Sequence, residues 1–274
     1  MFKGDSDSFI LPLAAYAESL ARQAGEVLIS ERKNQSFSLD YKRGVELVTT
    51  ADLAADALIR AGIESVYPDH NILSEESAPD FSDPQALMGP LWVIDPIDGT
   101  VNFANQQPAV AVSIAFAVDG VTQVGVVHCP FMKETFTAVR GRGAFCNGQP
   151  IKAAHITELR QALVATGFPY EKEGVPHLLQ RLQQVMAKVQ DVRRMGSAAI
   201  DICYVAAGRL GAYYETVNPW DMAAGYLIAR EAGAQVGRFA KAKSLMPEEL
   251  NGEHLLVASP PLFEPLQQIL EPTL

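Results

Sequence analysis

Cysteine is scarce in this chain. Cys129, Cys146 and Cys203 are the only three, odd in number and far apart in sequence. No C-x-x-C pair occurs, so neither a disulfide framework nor a zinc ribbon is expected; reduced thiols in a cytoplasmic protein are. The five histidines are equally scattered, with no H-x-x-x-H pair, and read as surface or core residues. Basic residues are outnumbered: 22 lysines and arginines stand against 32 aspartates and glutamates, a formal net charge of -10. Binding driven by nucleic-acid phosphates needs a basic stripe, so no direct nucleic-acid contact is expected. No apolar run approaches membrane-spanning length, and Asp5, Asp7, Glu18 and Arg22 make the N-terminal stretch too charged for a signal peptide. No membrane association is expected. Internal repeats and low-complexity linkers are also missing. The chain therefore reads as one unit over residues 1–274, softly divided near Ala154 into a meander-rich half and an alternating half, 155–274.

What is present is a 48% hydrophobic content, enough for a sizeable core. Helical spacing of Leu13, Tyr16, Ala17, Leu20, Ala24, Val27 and Leu28 predicts an amphipathic helix over Phe9 to Lys33. The polar stretch Ser36 to Glu46 reads as a loop or loose hairpin. Thr49-Thr50-Ala51-Asp52 can cap a second helix that runs to Tyr67 and stops at Pro68. A short strand at Asn71 to Ser74 leads into Glu75-Glu76, and a surface loop is expected from Ala78 to Met88. Two β-branched runs, Ala109 to Val118 and Val121 to His128, flank Asp119-Gly120, a strong hairpin signal. Strands at Thr135 to Arg140 and Gly143 to Cys146 extend this region. The second half alternates: strands at 162–166, 211–214 and 255–258, with helices at 176–190, 197–207, 221–232 and after Ser259. This order predicts an α+β or mixed α/β fold of layered sheets covered by helices.

The most informative stretch is Trp92 to Phe103. An apolar run that reads as a buried strand ends in Asp95, Pro96, Ile97, Asp98, Gly99 and Thr100. Clustered carboxylates at a strand end repel and lose hydration, a cost usually offset by a bound cation; oxygen ligands suit magnesium, calcium or manganese. Gly99 and Thr100 then offer backbone N–H groups to an anion. The Asp-x-x-Asp spacing differs from the Asp-x-Asp of aspartyl-nucleophile phosphatases and from a calcium loop. Held in one turn, Asp95, Asp98 and the Ile97 carbonyl can surround a shared point and ligate adjacent cations. Further acidic residues sit at element ends: Asp52, Glu75, Glu76 and Asp221. Helix capping alone would also account for Asp52 and Asp221.

Trp92 to Asn105 resembles the first signature of the inositol monophosphatase family of magnesium-dependent, lithium-sensitive phosphatases. Trp220 to Ala234 (WDMAAGYLIAREAGA) resembles the second, and Leu47 to Asp52 and Ser74 to Ser77 match two further blocks in the same order. The likeness runs from Leu13 to Gly237. It implies a layered αβαβα sandwich of the inositol monophosphatase and fructose-1,6-bisphosphatase type, and a phosphomonoesterase using two to three Mg2+ ions, with Mn2+ as a substitute. By position, it implies that Glu75, Asp95, Asp98 and the Ile97 carbonyl bind the first metals, with Asp95, Asp98 and Asp221 sharing the second. Glu75 rather than Glu76 is the implied ligand, as the first Glu of the family's Glu-Glu-Ser block, and it also reaches a third, weaker site. Thr100 and Asp52 orient and deprotonate the attacking water, and the amides of Gly99 and Thr100 hold the phosphate. Gly196-Ser197-Ala198 matches a segment that touches substrate hydroxyls, although small residues before a helix also permit close packing. Glu215 lies near the position of a carboxylate that binds a sugar or inositol hydroxyl, with a link to Asp221 one residue shorter than in some members. Lys42 is either a loop lysine near the third metal or a solvated side chain. Arg140 and Arg142 are read as surface charges. The expected substrate is a small polyol or sugar phosphate, foremost inositol 1-phosphate. Histidinol phosphate, fructose 1,6-bisphosphate and 3′-phosphoadenosine 5′-phosphate are the alternatives, as is a regulatory protein-binding role. Family members pair as homodimers, and this is expected here.

Overall fold

The computed structural model describes residues 6–42, 46–77, 87–168 and 175–271. Helix α1 (Ser6–Asn34) buries the predicted stripe of Leu13, Ala17, Leu20, Ala24 and Leu28. The polar stretch after it is a hairpin, β1 (Leu39–Lys42) against β2 (Glu46–Thr49). Lys42 ends β1, and its side chain lies outside the described residues. Helix α2 (Thr50–Val66) opens with a capping box: the Thr49 hydroxyl takes the N–H of Ala51 and Asp52, and Asp52 Oδ2 takes the Thr49 N–H at 2.7 Å. Of the expected surface loop, residues 78–86 lie outside the described residues.

A seven-stranded sheet follows, its strands neighbours in chain order: β3 (Asn71–Ser74), β4 (Pro90–Asp98), β5 (Ala111–Val118), β6 (Val121–Cys129), β7 (Glu134–Val139), β8 (Ala144–Cys146) and β9 (Gln149–Pro150). Only β3 and β4 pair in parallel. The short helix α3 (Thr100–Ala104) leaves the end of β4. A five-stranded sheet is built from β10 (Leu163–Thr166), β11 (Asp191–Arg193), β12 (Ala212–Glu215), β13 (Gln235–Arg238) and β14 (Leu255–Ala258), in the order β11-β10-β12-β14-β13. Its helices are α4 (Val175–Met186), α5 (Ala198–Ala206), α6 (Pro219–Glu231) and α7 (Pro260–Leu270).

Two edge strands, β11 and β13, were not expected: at three and four residues they are too short to show alternation. Helix α4 ends at Met186 rather than 190: the Lys188 N–H turns onto the Val185 carbonyl three residues back, and the Gln190 N–H leaves for the Ala162 carbonyl. Helix α6 begins two residues earlier than expected, with Pro219 in its first turn. Arg140 is half-buried rather than a free surface charge. Its Nε donates to the Thr122 carbonyl at 2.7 Å and its guanidinium pairs with Glu249, which also takes Arg230 at 3.0 Å. Arg142 is exposed, as expected.

Strand alternation sorts side chains into layers. Trp92, Ile94, Val112 and Ile114 face α1 and α2, whereas Leu91, Val93, Ala111 and Ala115 face α5 and α6 in the space between the sheets. Helices α4 and α7 cover the outer face of the small sheet with Val185, Leu262, Leu266 and Leu270. The result is a mixed α/β fold with helix and sheet layers alternating, αβαβα. Because β4 is buried on both faces, it reads as a continuous apolar run. Gly125 on β6 lets α6 lie directly on the large sheet, since a Cβ there would meet the Ala224 backbone. Among the described residues, no helix is long and apolar enough to cross a membrane.

Candidate functional site

The carboxylates of Asp95 and Asp98 project from the irregular end of β4. Pairing with β5 passes from Asp95 opposite Ser113 to Asp98 opposite Ala111, so three steps on one strand match two on the other. This bulge, rather than the turn expected from their spacing, sets the two side chains together. Asp95 Oδ1 is fixed by the Ile97 N–H at 3.0 Å. Asp221, in the first turn of α6, closes a second capping box, its Oδ2 accepting the Asn218 N–H at 2.7 Å. One oxygen from each of Asp95, Asp98 and Asp221 lies within 4.8 Å of the others. Glu75, in a one-turn 3-10 helix after β3, joins them through a hydrogen bond with Asp95.

This concentration of acid is unfavourable in the bare protein. Burial pushes Asp95 well above the usual carboxylate range, and repulsion from Glu75, Asp98 and Asp221 adds to it. Burial, then Asp98, raises Asp221 in the same way. Asp98 is pushed up to about 6: burial outweighs the hydrogen bonds from Ser197 and the α5 amides. Protons or cations relieve such repulsion.

Asp98 also ties the large sheet to the start of α5. Its Oδ2 accepts the Ser197 hydroxyl at 2.7 Å and the Ala199 N–H at 2.6 Å, drawing the Gly196-Ser197-Ala198 segment to the site. Ser197 is the N-cap of α5 as well, taking the Ile200 N–H at 3.3 Å. Gly99 has φ +104, and a Cβ there would meet the Ala109 carbonyl at 2.8 Å and that of Gly196 at 3.2 Å. Only glycine fits both demands. Asn102 fastens the same junction, donating to the Ala109 and Met195 carbonyls at 2.7 and 2.8 Å.

Thr100 and Asp52 meet across 48 residues of sequence, with the threonine hydroxyl 3.1 Å from Asp52 Oδ1 and 3.2 Å from the Ile97 carbonyl. Both side chains are buried. The second oxygen of Asp52 is occupied by the Thr49 N–H and hydroxyl. Capping and the Thr100 contact are thus two halves of one carboxylate rather than alternatives.

Glu215 reaches the same place despite its short link to Asp221. It lines a cavity of about 90 Å3 with Asp98, Ser197 and Asp221. Its carboxyl lies over Gly167, where any Cβ would take its place. The Tyr213 hydroxyl donates to it at 2.6 Å, and burial still holds it near 7. Five further residues line this cavity that the sequence did not single out: Gly167, Phe168, Arg194, Asp201 and Val217. Asp201 carried the one available signal, a lone acid in the apolar helix AAIDICYVA. The cysteines supply no nucleophile: burial raises all three thiols, and a raised thiol is a poor thiolate.

The model of the inositol monophosphatase family matches residues 11–268. "Nus factor SuhB" of Pasteurella multocida strain Pm70 is 39% identical over 271 residues, 96% of this chain and 97% of its own length. Among solved structures, the inositol monophosphatase of Anabaena (Nostoc) sp. PCC 7120 superposes with a TM-score of 0.81 at 34% identity, covering 95% of each chain. SaIMPase-II with inositol monophosphate bound gives a TM-score of 0.78 at 29% identity, covering 95% of this chain and 94% of its own.

Proposed function

The chain belongs to the inositol monophosphatase family, and from that premise we propose that it is a metal-dependent phosphomonoesterase hydrolysing a small polyol or sugar phosphate, foremost inositol 1-phosphate. The observation that carries the reading is the convergence of Asp95, Asp98 and Asp221 within 4.8 Å beside the Thr100–Asp52 pair. Hard carboxylate oxygens, buried and mutually repelling, fit Mg2+, with Mn2+ as a substitute. Glu75, Asp95, Asp98, Asp221 and the Ile97 carbonyl are the residues to hold two to three such ions. When bound, the ions supply charge neutralisation at the phosphoryl group and acidify water. Asp52 accepts a proton through the Thr100 hydroxyl, which is already aligned to pass it on. The amides of Gly99 and Thr100 receive the phosphoryl oxygens at the start of α3, and Glu215 takes a hydroxyl of the leaving alcohol. The bound inositol monophosphate of SaIMPase-II supports that choice of substrate.

The test is phosphate release from a panel of monoesters at millimolar Mg2+. Inositol 1-phosphate should be cleaved fastest, EDTA should abolish release, and lithium should inhibit it. The name Nus factor SuhB carried by relatives favours a second reading, a regulatory binding role. No release from any ester, together with a cellular role untouched by Asp95→Asn, would replace the first reading with the second.

The pH dependence has a definite sign. Asp98 holds its proton in the folded chain to about pH 6, against 3.8 as the ordinary value. Its stabilising contribution is complete below pH 4 and is lost as pH rises through 6, on the order of 1–3 kcal/mol. Cations replace those protons. The increase in melting temperature produced by Mg2+ over EDTA should therefore grow between pH 5 and pH 7.5. An increment that stays flat across that range would contradict the assignment of the cluster to metal.

A further inference from the structure

We infer that Asp201 selects the leaving alcohol, accepting a hydrogen bond from a second hydroxyl beside the one that Glu215 takes; this rests on the phosphatase reading. Asp201 is 1% exposed, and its Oδ1 is buried with no hydrogen-bond partner among the described residues. It lines the same cavity of about 90 Å3 as Asp98, Glu215 and Asp221. Helix α5 has no structural use for an acid there. Ser197 already caps the helix, and the flanking Ala199, Ile200, Ile202 and Cys203 are fully buried core. A buried acceptor without a donor is costly, and one that borders a ligand cavity is satisfied when a ligand brings the donor.

The donor can be narrowed by its surroundings. Arg194 lines the cavity, its guanidinium carbon 5.6 Å from the centroid of the Phe168 ring. On the phosphatase reading, the alcohol of the ester brings hydroxyls as the donors. Glu215 and Asp201 line one small cavity. Two acceptors in one cavity suit a leaving alcohol that carries more than one hydroxyl, and the substrate class is a phosphate monoester of a polyol.

The experiment compares wild type, Asp201→Ala and Asp201→Asn on myo-inositol 1-phosphate and on p-nitrophenyl phosphate, whose leaving group has no second hydroxyl. In Asp201→Ala the ratio of kcat/KM, inositol ester over nitrophenyl ester, should fall about tenfold, mostly through KM of the inositol ester. Asp201→Asn keeps a carbonyl oxygen and should bring the ratio back to within about threefold of wild type. A ratio unchanged within twofold, or equal losses on both esters, overturns the role of Asp201 and leaves the phosphatase reading standing. A wild-type protein inactive on both esters overturns the two together. If Asp201→Ala does not fold, Asp201→Ser carries the same comparison.

Discussion

Asp98→Asn should lower kcat/KM by about three orders of magnitude, near 4 kcal/mol of transition-state stabilisation, while the protein stays folded. Asp98 combines two duties that the substitution separates. Its Oδ2 binds Ser197 and the Ala199 amide, and the carbonyl oxygen of asparagine can take both bonds over. One oxygen of Asp98 also belongs to the carboxylate triad, and the substitution leaves a single oxygen for all these duties beside an NH2 group, which cannot ligate a cation. Loss of one buried charge also relieves Asp95 and Asp221. The EDTA-treated variant should thus melt no lower than wild type, whereas its gain from Mg2+ should shrink; saturation at a hundred times Kd is worth about 2.7 kcal/mol to a binding-competent protein. Activity within tenfold of wild type, or a full magnesium gain, would remove Asp98 from the metal site.

Thr100→Ala should reduce kcat by two to three orders of magnitude with the magnesium requirement unchanged, roughly what general acid–base catalysis contributes. The hydroxyl lies between Asp52 Oδ1 and the Ile97 carbonyl, so alanine leaves the acid with no route to the reacting water. Asp52→Asn should cost a similar factor, since the amide accepts no proton. If the two groups act as one relay, the double variant should be little slower than either single one. Thr100→Ser, which keeps the hydroxyl, should recover most of the rate. Independent losses that multiply in the double variant would mean that Thr100 and Asp52 act separately.

The parts of the site that were readable in advance are those where chemistry departs from what folding wants. Asp95 and Asp98 interrupt an apolar strand, and Asp52 and Asp221 sit in capping positions that a short-range pattern exposes. Their convergence could not be read from periodicity. It depends on a bulge between Asp95 and Asp98 and on packing of α6 against the large sheet, and both are tertiary facts. Glu215 illustrates the same limit: its shortened link to Asp221 left its role open, whereas the absent side chain of Gly167 gives it room at the cavity. Asp201 is hidden in a core helix because its apolar neighbours dominate the pattern. Arg194 had no signal at all, as an arginine preceding a glycine turn is most often solvated. In the fold, long elements with a buried face were legible. Edge strands β11 and β13 were not, since three or four half-exposed residues have no period to detect.

The bonds from Asp98 to Ser197 and Ala199 bridge 99 and 101 positions of chain. Closing so large a loop is entropically slow, and contacts of this range form after local helices and hairpins are in place. During synthesis the large sheet is complete before Asp221 has been added. Cation affinity is therefore a late acquisition, and its arrival in a refolding experiment would mark the docking of one sheet onto the other.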